Sequence, residues 1–157
     1  MFHIVLYHPE IPHNTGAAGR LAVATDSRLH LIKPLGFSLD EKHVRRTGLD
    51  YWQHVDLQLW DSLEQLEAAA APGAHFWYLS TKATHSIWTQ EIPLCDGDYF
   101  VFGPESKGLP ERWIDGHPQT ALRIPMPGER ARSLNLSTSI AIMLYEGLRR
   151  TLPAGQL

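Results

Sequence analysis

Residues Arg123 to Tyr145 read RIPMPGERARSLNLSTSIAIMLY, and the fold turns on how this stretch divides. Ile124-Pro125-Met126 is a short apolar piece that ends in a Pro/Gly loop carrying Arg130 and Arg132. The loop runs into Ser133-Leu134-Asn135-Leu136-Ser137, where a helix is expected from Ser133 to Arg150. Leu136, Ile140, Met143 and Leu144 recur there at helical spacing, and Glu146 and Arg150 stand four apart. A strand end, a polar loop and a helix N-terminus therefore fall within a few residues. Helix N-termini present free N–H donors and a positive dipole end, and α/β proteins bind ligands at such junctions. Taken alone, the stretch reads first as a core helix capped by Ser133 or Asn135, and second as one wall of a pocket.

Upstream, strands and helices alternate. Phe2 to Tyr7 is a continuous apolar run of strand length. Asn14 is the expected N-cap of a helix from Thr15 to Thr25 that is rich in Gly and Ala, with Arg20 its one long charged side chain. Arg28 to Ile32 is a second strand. Ser38-Leu39-Asp40-Glu41 reads as a capping box opening a short helix to about Arg46, followed by a turn at Gly48 to Trp52. Strands are expected at His54 to Trp60, with Val55, Leu57 and Leu59 on one face, and at Ala74 to Leu79, Asp98 to Phe102 and Ala121 to Ile124. A helix starts at Asp61-Ser62-Leu63-Glu64 and stops at Pro72-Gly73; another opens at Pro110. Ala83 to Leu94 carries no clear period and reads as loop or short helix. The alternation implies an α/β fold with a mainly parallel sheet and helices on both faces. Loops rich in Gly, Pro and polar residues follow Leu79, Phe102 and Ile124, at the strand edge where such folds bind ligands.

At 157 residues, with 43% hydrophobic composition, the chain suits one domain with a sizeable core. Its net charge of -3 argues against nucleic-acid binding through overall charge and leaves only a local patch for such a role. Cys95 is the only cysteine, so an intrachain disulfide is impossible and a reducing, cytoplasmic setting is expected. No apolar run approaches the ~20 residues of a membrane span.

Gly103-Pro104-Glu105-Ser106-Lys107-Gly108 invites comparison with a phosphate loop, but Leu109-Pro110 follows the second glycine where Lys and Ser/Thr are needed. Nor does it match G-x-G-x-x-G, which weakens a dinucleotide dehydrogenase. A tight strand-to-helix turn accounts for the glycines; Glu105 and Lys107 are more than a turn requires. His3, His8 and His13 lack the paired spacing of zinc ligands, so no metal is expected. No G-x-S-x-G presents a hydrolase nucleophile. Lys42-His43-Val44-Arg45-Arg46 is either a solvated helix face or a phosphate-contacting patch, and Arg20 either a functional cation or half of an ion pair with an acid such as Glu10.

Three segments in order resemble the three motifs of the SPOUT (SpoU-TrmD) RNA methyltransferases: Pro9-Glu10-Ile11-Pro12-His13-Asn14-Thr15-Gly16 with Arg20; Phe102 to Pro110; and Ile124-Pro125-Met126 with Arg132-Ser133-Leu134-Asn135-Leu136-Ser137. The chain is most similar to the small tRNA (cytidine/uridine-34-2′-O)-methyltransferases, a likeness that Gly48-Leu49-Asp50-Tyr51 extends and that runs from about Leu6 to Tyr145. One departure is Ala17, where that subfamily usually has a second Asn.

The resemblance implies a C-terminal trefoil knot, an obligate homodimer and S-adenosyl-L-methionine held by the knot loops. By position, Leu79, Gly103, Ile124 and Ser133 would line the cofactor, with Gly103 letting backbone approach the ligand closely. The implied reaction is transfer of the sulfonium methyl to the ribose 2′-hydroxyl of the wobble nucleotide of tRNA. Arg20, Asn135 and Ser133 would be the catalytic set, and Arg20, Arg45, Arg46, Lys107 and Arg132 the RNA contacts. Arginine is a poor base, so Arg20 is read as a phosphate clamp and stabiliser of alkoxide charge. Two alternatives stay open: the same chemistry at another tRNA or rRNA site, and a non-catalytic RNA-binding factor on the same fold. A functional Tyr145 is also implied, although a packed aromatic on an amphipathic helix accounts for it equally.

Overall fold

A computed structural model of the chain describes residues 1–40, 51–89, 91–153 and 155–156. Among these, the strands are His3–Tyr7 (β1), Arg28–Ile32 (β2), Leu57–Trp60 (β3), Phe76–Leu79 (β4), His85–Ser86 (β5), Tyr99–Phe102 (β6) and Ala121–Arg123 (β7). All pair in parallel in one sheet of order β3-β2-β1-β6-β4-β7-β5. The helices are Pro12–Ala24 (α1), Leu63–Ala69 (α2), Glu111–Asp115 (α3) and Leu136–Thr151 (α4), with a 3-10 turn at Trp52–His54.

Alternate residues of each strand point to opposite faces, and both faces are apolar, as a covered parallel sheet requires. Ile4, Leu6, Leu29, Leu31, Trp77, Leu79, Phe100, Phe102 and Leu122 form one core with Ala18 and Ala22 of α1 and Ile140, Met143 and Leu144 of α4. Val5, Tyr7, Ile32, Tyr78, Val101 and Ala121 form the other, with Leu63 and Leu66 of α2 and Trp113 and Ile114 of α3. Each fully buried large apolar side chain contributes about 1.5–3 kcal/mol. An exposed ion pair contributes ~0–1 kcal/mol, so the two cores dominate the stability.

Several boundaries differ from the expected ones. α1 starts at Pro12, with Ile11 at the cap position and no side-chain cap of its own. Asn14 is thus inside the first turn, not before it. β3 is shorter than His54 to Trp60, because residues 52–54 wind into the 3-10 turn; Leu59, on this edge strand, is exposed rather than facing a core. α4 starts at Leu136 with Asn135 as its cap, leaving Ser133 in the loop. β5 falls in the stretch that showed no period. The helix expected up to Arg46 and most of the turn at Gly48–Trp52 lie outside the described residues.

Two buried carboxylates fix connections between elements. Asp98, 1% exposed at the foot of β6, accepts from the N–H groups of His75 (3.2 Å) and Cys95 (2.9 Å) and from Trp77 Nε1 (2.7 Å). Glu146 of α4 accepts from Arg149 and Arg150, and Arg150 donates to the carbonyls of Ile87, Thr89 and Ile92. That arginine clamps the segment after β5 onto the C-terminal half of α4.

A histidine pair lies between β1 and β2. Trp60 Nε1, which can only donate, gives its proton to His30 Nδ1 at 3.0 Å. His30 must then carry its own proton on Nε2, which donates to His3 Nδ1 at 2.8 Å. Burial is the main reason that His3 drops to about 4 and His30 to about 3; the Arg28 charge pushes both the same way. Both rings are neutral when folded and protonate near 6.5 when unfolded, so below that pH the unfolded chain binds more protons. The pair's stabilisation is complete above 6.5 and is lost as pH falls toward the folded values. Between about pH 7 and about pH 4.5 it should remove ~2 kcal/mol, discounted for partial exposure, seen as a fall in melting temperature of roughly 4–8 °C. A His3→Gln/His30→Gln variant should show a shallower pH slope; parallel slopes for the two proteins would refute the assignment.

Candidate active site

In the sheet, β6, β4 and β7 are neighbours, so the loops leaving their C-terminal ends share one edge. Those loops enclose a cleft of about 520 Å³. Leu79, Gly103, Ile124, Ser133, Asn135, Lys107 and Arg132 all line it, together with Asn14 from α1. The structure thus brings together most of the sequence-expected site. Arg20 is not among the lining residues: it is exposed on α1. Arg45 and Arg46 lie outside the described residues.

The loop after β6 folds back on itself. Gly108 sits at φ +68°, and its N–H donates to the Pro104 carbonyl at 2.9 Å. A Cβ on Gly103 would stand 2.1 Å from the Leu109 nitrogen and 2.3 Å from the Gly108 carbonyl carbon. Closure of its own loop therefore demands glycine at 103.

That fold-back aims the Glu105 side chain at α1. Its carboxylate accepts from the N–H groups of Glu10 (2.7 Å) and Ile11 (3.1 Å) and from Asn14 Nδ2 (3.2 Å). Helix α1, lacking a cap of its own, is capped by an acid more than ninety residues away, which also meets the positive end of its dipole. Glu10 returns the contact: its carboxylate accepts from Ser106 N–H (3.0 Å) and Oγ (2.7 Å), and these bonds are the main cause of its lowered pKa. The ion pair between Arg20 and Glu10 considered from sequence is not formed.

Asn135 completes the line. Its Oδ1 accepts from Ser137 N–H (2.9 Å) and Thr138 N–H (3.4 Å), capping α4. The amide is thereby oriented, and its Nδ2 donates to Asn14 Oδ1 at 3.3 Å. Asn14, 2% exposed, thus accepts from Asn135 and donates to Glu105. One side chain joins the three segments that carried the sequence resemblance. Asn14 was expected only as a helix cap, and Glu105 only as more than a turn requires, with no role assigned. A carboxylate inside a Gly/Pro turn was the available signal, but its partners are remote in sequence.

Charge is sorted around the cleft. Arg28, Lys33, Lys82, Arg112, Arg149 and Arg150 are paired with carboxylates. Among the described residues, Arg20, Lys107, Arg123, Arg130 and Arg132 have no carboxylate within ion-pair distance. Lys107, Arg130 and Arg132 follow the ends of β6 or β7, and Lys107 and Arg132 line the cleft. Also among the described residues, no His/Cys/Asp/Glu group could hold a metal ion, and no helix is long and apolar enough to cross a membrane.

A parallel α/β sheet with a ligand-sized cleft at the carboxyl ends of its strands defines a class of ligand-binding α/β proteins. Within that class, the match of residues 1–145 to the SpoU rRNA Methylase family places the chain in that family. A tRNA (cytidine(34)-2′-O)-methyltransferase of Methylovorus glucosotrophus (strain SIP3-4) is 49% identical over 153 residues, covering 96% of each chain. A solved structure described as giving insights into the 2-OH methylation of C/U34 on tRNA matches with a TM-score of 0.89 at 46% identity, covering 96% of this chain and 95% of that one. An AdoMet-bound rRNA methyltransferase of Sinorhizobium meliloti shares the fold at 22% identity and a TM-score of 0.81, this chain spanning 57% of its length.

If Glu105 caps α1, Glu105→Ala should cost about 1–2 kcal/mol in urea unfolding. Glu105→Gln, which keeps one acceptor oxygen, should cost less. Equal stability of the alanine variant and the wild type would refute the capping role.

Proposed function

We propose that this chain transfers a methyl group to the ribose 2′-hydroxyl of the wobble nucleotide of tRNA, position 34, a cytidine or modified uridine. The observation that carries the reading is the meeting of three strand-end loops in one cleft whose rim holds unpaired cations. The relatives named for cytidine-34 2′-O-methylation support the choice of nucleotide.

The cleft suits S-adenosyl-L-methionine. Its volume lies within the ~300–1,000 Å³ of small-molecule sites, and apolar Leu79, Ile124, Met126 and Leu134 alternate with backbone polar groups of the loops. The Glu105 carboxylate is already engaged by three donors, so the wall carries no free buried acid there. Leu79, Gly103, Ile124 and Ser133 would hold this cofactor, and when bound it supplies an electrophilic methyl group. The protein's share is alignment and charge. Asn135, fixed by α4 on one side and Asn14 on the other, orients the site with Ser133. Arg20 binds a substrate phosphate and stabilises negative charge developing on the 2′-oxygen. Lys107 and Arg132, with Arg45 and Arg46, bind further phosphates.

We propose further that residues 1–157 form a single domain acting as a cytoplasmic homodimer, with its C-terminal part tied in a trefoil knot. Insertion of β7 between β4 and β5, both formed earlier in the chain, supports the knot. The exposed position of Arg20, away from the cleft lining of its own chain, supports a second copy that brings it to a cleft.

Incubation with labelled S-adenosyl-methionine and total tRNA should place the label on the ribose of nucleotide 34. Label appearing only in rRNA, or in no RNA, would overturn the reading. Arg20→Ala should lower turnover by about 10²–10³ while cofactor affinity persists. Lys107→Ala/Arg132→Ala should weaken tRNA binding and flatten its logarithmic salt dependence by about 1.5, on the order of one released counterion per lost phosphate contact. An unchanged salt slope would remove both residues from the RNA surface.

A further inference from the structure

Arg20 is unusual in what surrounds it. Its helical neighbours three and four positions away are Gly16, Ala17, Val23 and Ala24, none able to hold a guanidinium by charge or hydrogen bond. No carboxylate lies within ion-pair distance among the described residues, and Glu10 is committed to Ser106. The contact that Arg20 does make is with an aromatic face: its Cζ lies 5.1 Å from the centroid of the Tyr51 ring.

Tyr51 is itself held against α1. It precedes the 3-10 turn Trp52–His54, and its carbonyl accepts from the His54 N–H at 2.9 Å. Trp52 packs on Gly19, the residue before Arg20, so closely that a Cβ there would stand 2.6 Å from the indole Cζ3 and 3.2 Å from Val55 Cγ2. Glycine at 19 is what lets the turn approach α1 and set the ring beside Arg20. The Tyr51 hydroxyl is buried and has no hydrogen-bond partner among the described residues, so the ring, and not the oxygen, is the part in use there.

We propose that Tyr51 is a positioning residue: an aromatic shelf that fixes the direction of the Arg20 guanidinium while leaving its charge and N–H donors free for the RNA backbone. The inference rests on the reading of Arg20 given under Proposed function. A carboxylate in the same place would also orient the arginine, but it would neutralise the charge and occupy the donors that a phosphate needs. A ring face attracts the cation without using any N–H group. Arg20 is thereby pre-ordered on a helix surface that otherwise offers a long side chain no support.

The test is single-turnover methyl transfer to tRNA, with cofactor affinity and melting temperature measured in parallel, for the wild type, Tyr51→Phe, Tyr51→Leu, Arg20→Ala and Arg20→Ala/Tyr51→Leu. Tyr51→Phe should stay within about twofold of the wild type, since the hydroxyl has no partner among the described residues. Tyr51→Leu should be about tenfold slower with cofactor affinity unchanged. The double variant should be no slower than Arg20→Ala, because the shelf acts only through the arginine. Wild-type rate in Tyr51→Leu, a slow Tyr51→Phe, or independent losses in the double variant would each overturn the proposal. Should Tyr51→Leu fail to fold, a series of increasingly fluorinated phenylalanines at position 51 keeps the ring while draining its face of negative charge. A stepwise fall in rate supports the shelf, and a flat series overturns it. Failure of the underlying reading looks different: Arg20→Ala itself would then methylate tRNA at the wild-type rate.

Discussion

The Asn14 amide is the joint on which the site depends. A buried amide must satisfy both its donor and its acceptor, and at 2% exposure water cannot do so. Its oxygen is met by Asn135, and its nitrogen by Glu105. Neither partner is free to move: Asn135 is turned by the N–H groups that it caps, and Glu105 by two further N–H groups at the start of α1. The starts of α1 and α4 and the loop after β6 are therefore placed relative to one another by hydrogen bonds that no member can drop without leaving a buried polar group unpaired.

Much of the sheet was legible because its strands are local signals. After Arg28, β2 is a continuous apolar run once His30 is counted inside, and its bounds, Arg28–Ile32, are those expected from sequence. β1, β4 and β6 were likewise visible as short apolar runs. The errors fall where a distant residue decides the local structure. Asn14 looks like a cap because caps are normally supplied from within a few residues; Glu105 supplies this one across the fold. The stretch from Ala83 to Leu94 shows no period because its order is imposed by Arg150, which binds three of its carbonyls, and by β7, which pairs with a strand of only two residues. Nothing within residues 83–94 encodes either partner.

The site divides the same way. Loops after Leu79, Phe102 and Ile124 were recognisable from their Gly, Pro and polar residues, and the sheet order makes them neighbours. Sequence could not order the strands, because parallel strands with similar apolar content are interchangeable until crossovers are known. Gly103 shows a subtler gap. The residue was rightly placed on the cleft wall, but its glycine is dictated by a 2.1 Å approach within its own loop. The physical reason for a residue type can lie with the scaffold even where the position belongs to the site.

Charge is where composition alone misleads most. A chain of net charge -3 does not resemble a nucleic-acid-binding protein. Net charge, however, counts cations already cancelled at contact distance together with those that are not. Arg28 with Asp56, Lys33 with Asp61, Lys82 with Glu111 and Arg112 with Glu64 project little field beyond a Debye length of ~8 Å at physiological salt. Lys107, Arg130 and Arg132 have no such partner among the described residues; they stand on the loops leaving β6 and β7, and Lys107 and Arg132 line the cleft. Five acids, Asp56, Asp61, Glu64, Glu111 and Glu146, are spent on pairing Lys or Arg side chains. For a polyanionic substrate the quantity that matters is the local unpaired charge at the cleft rim, and there the balance is positive.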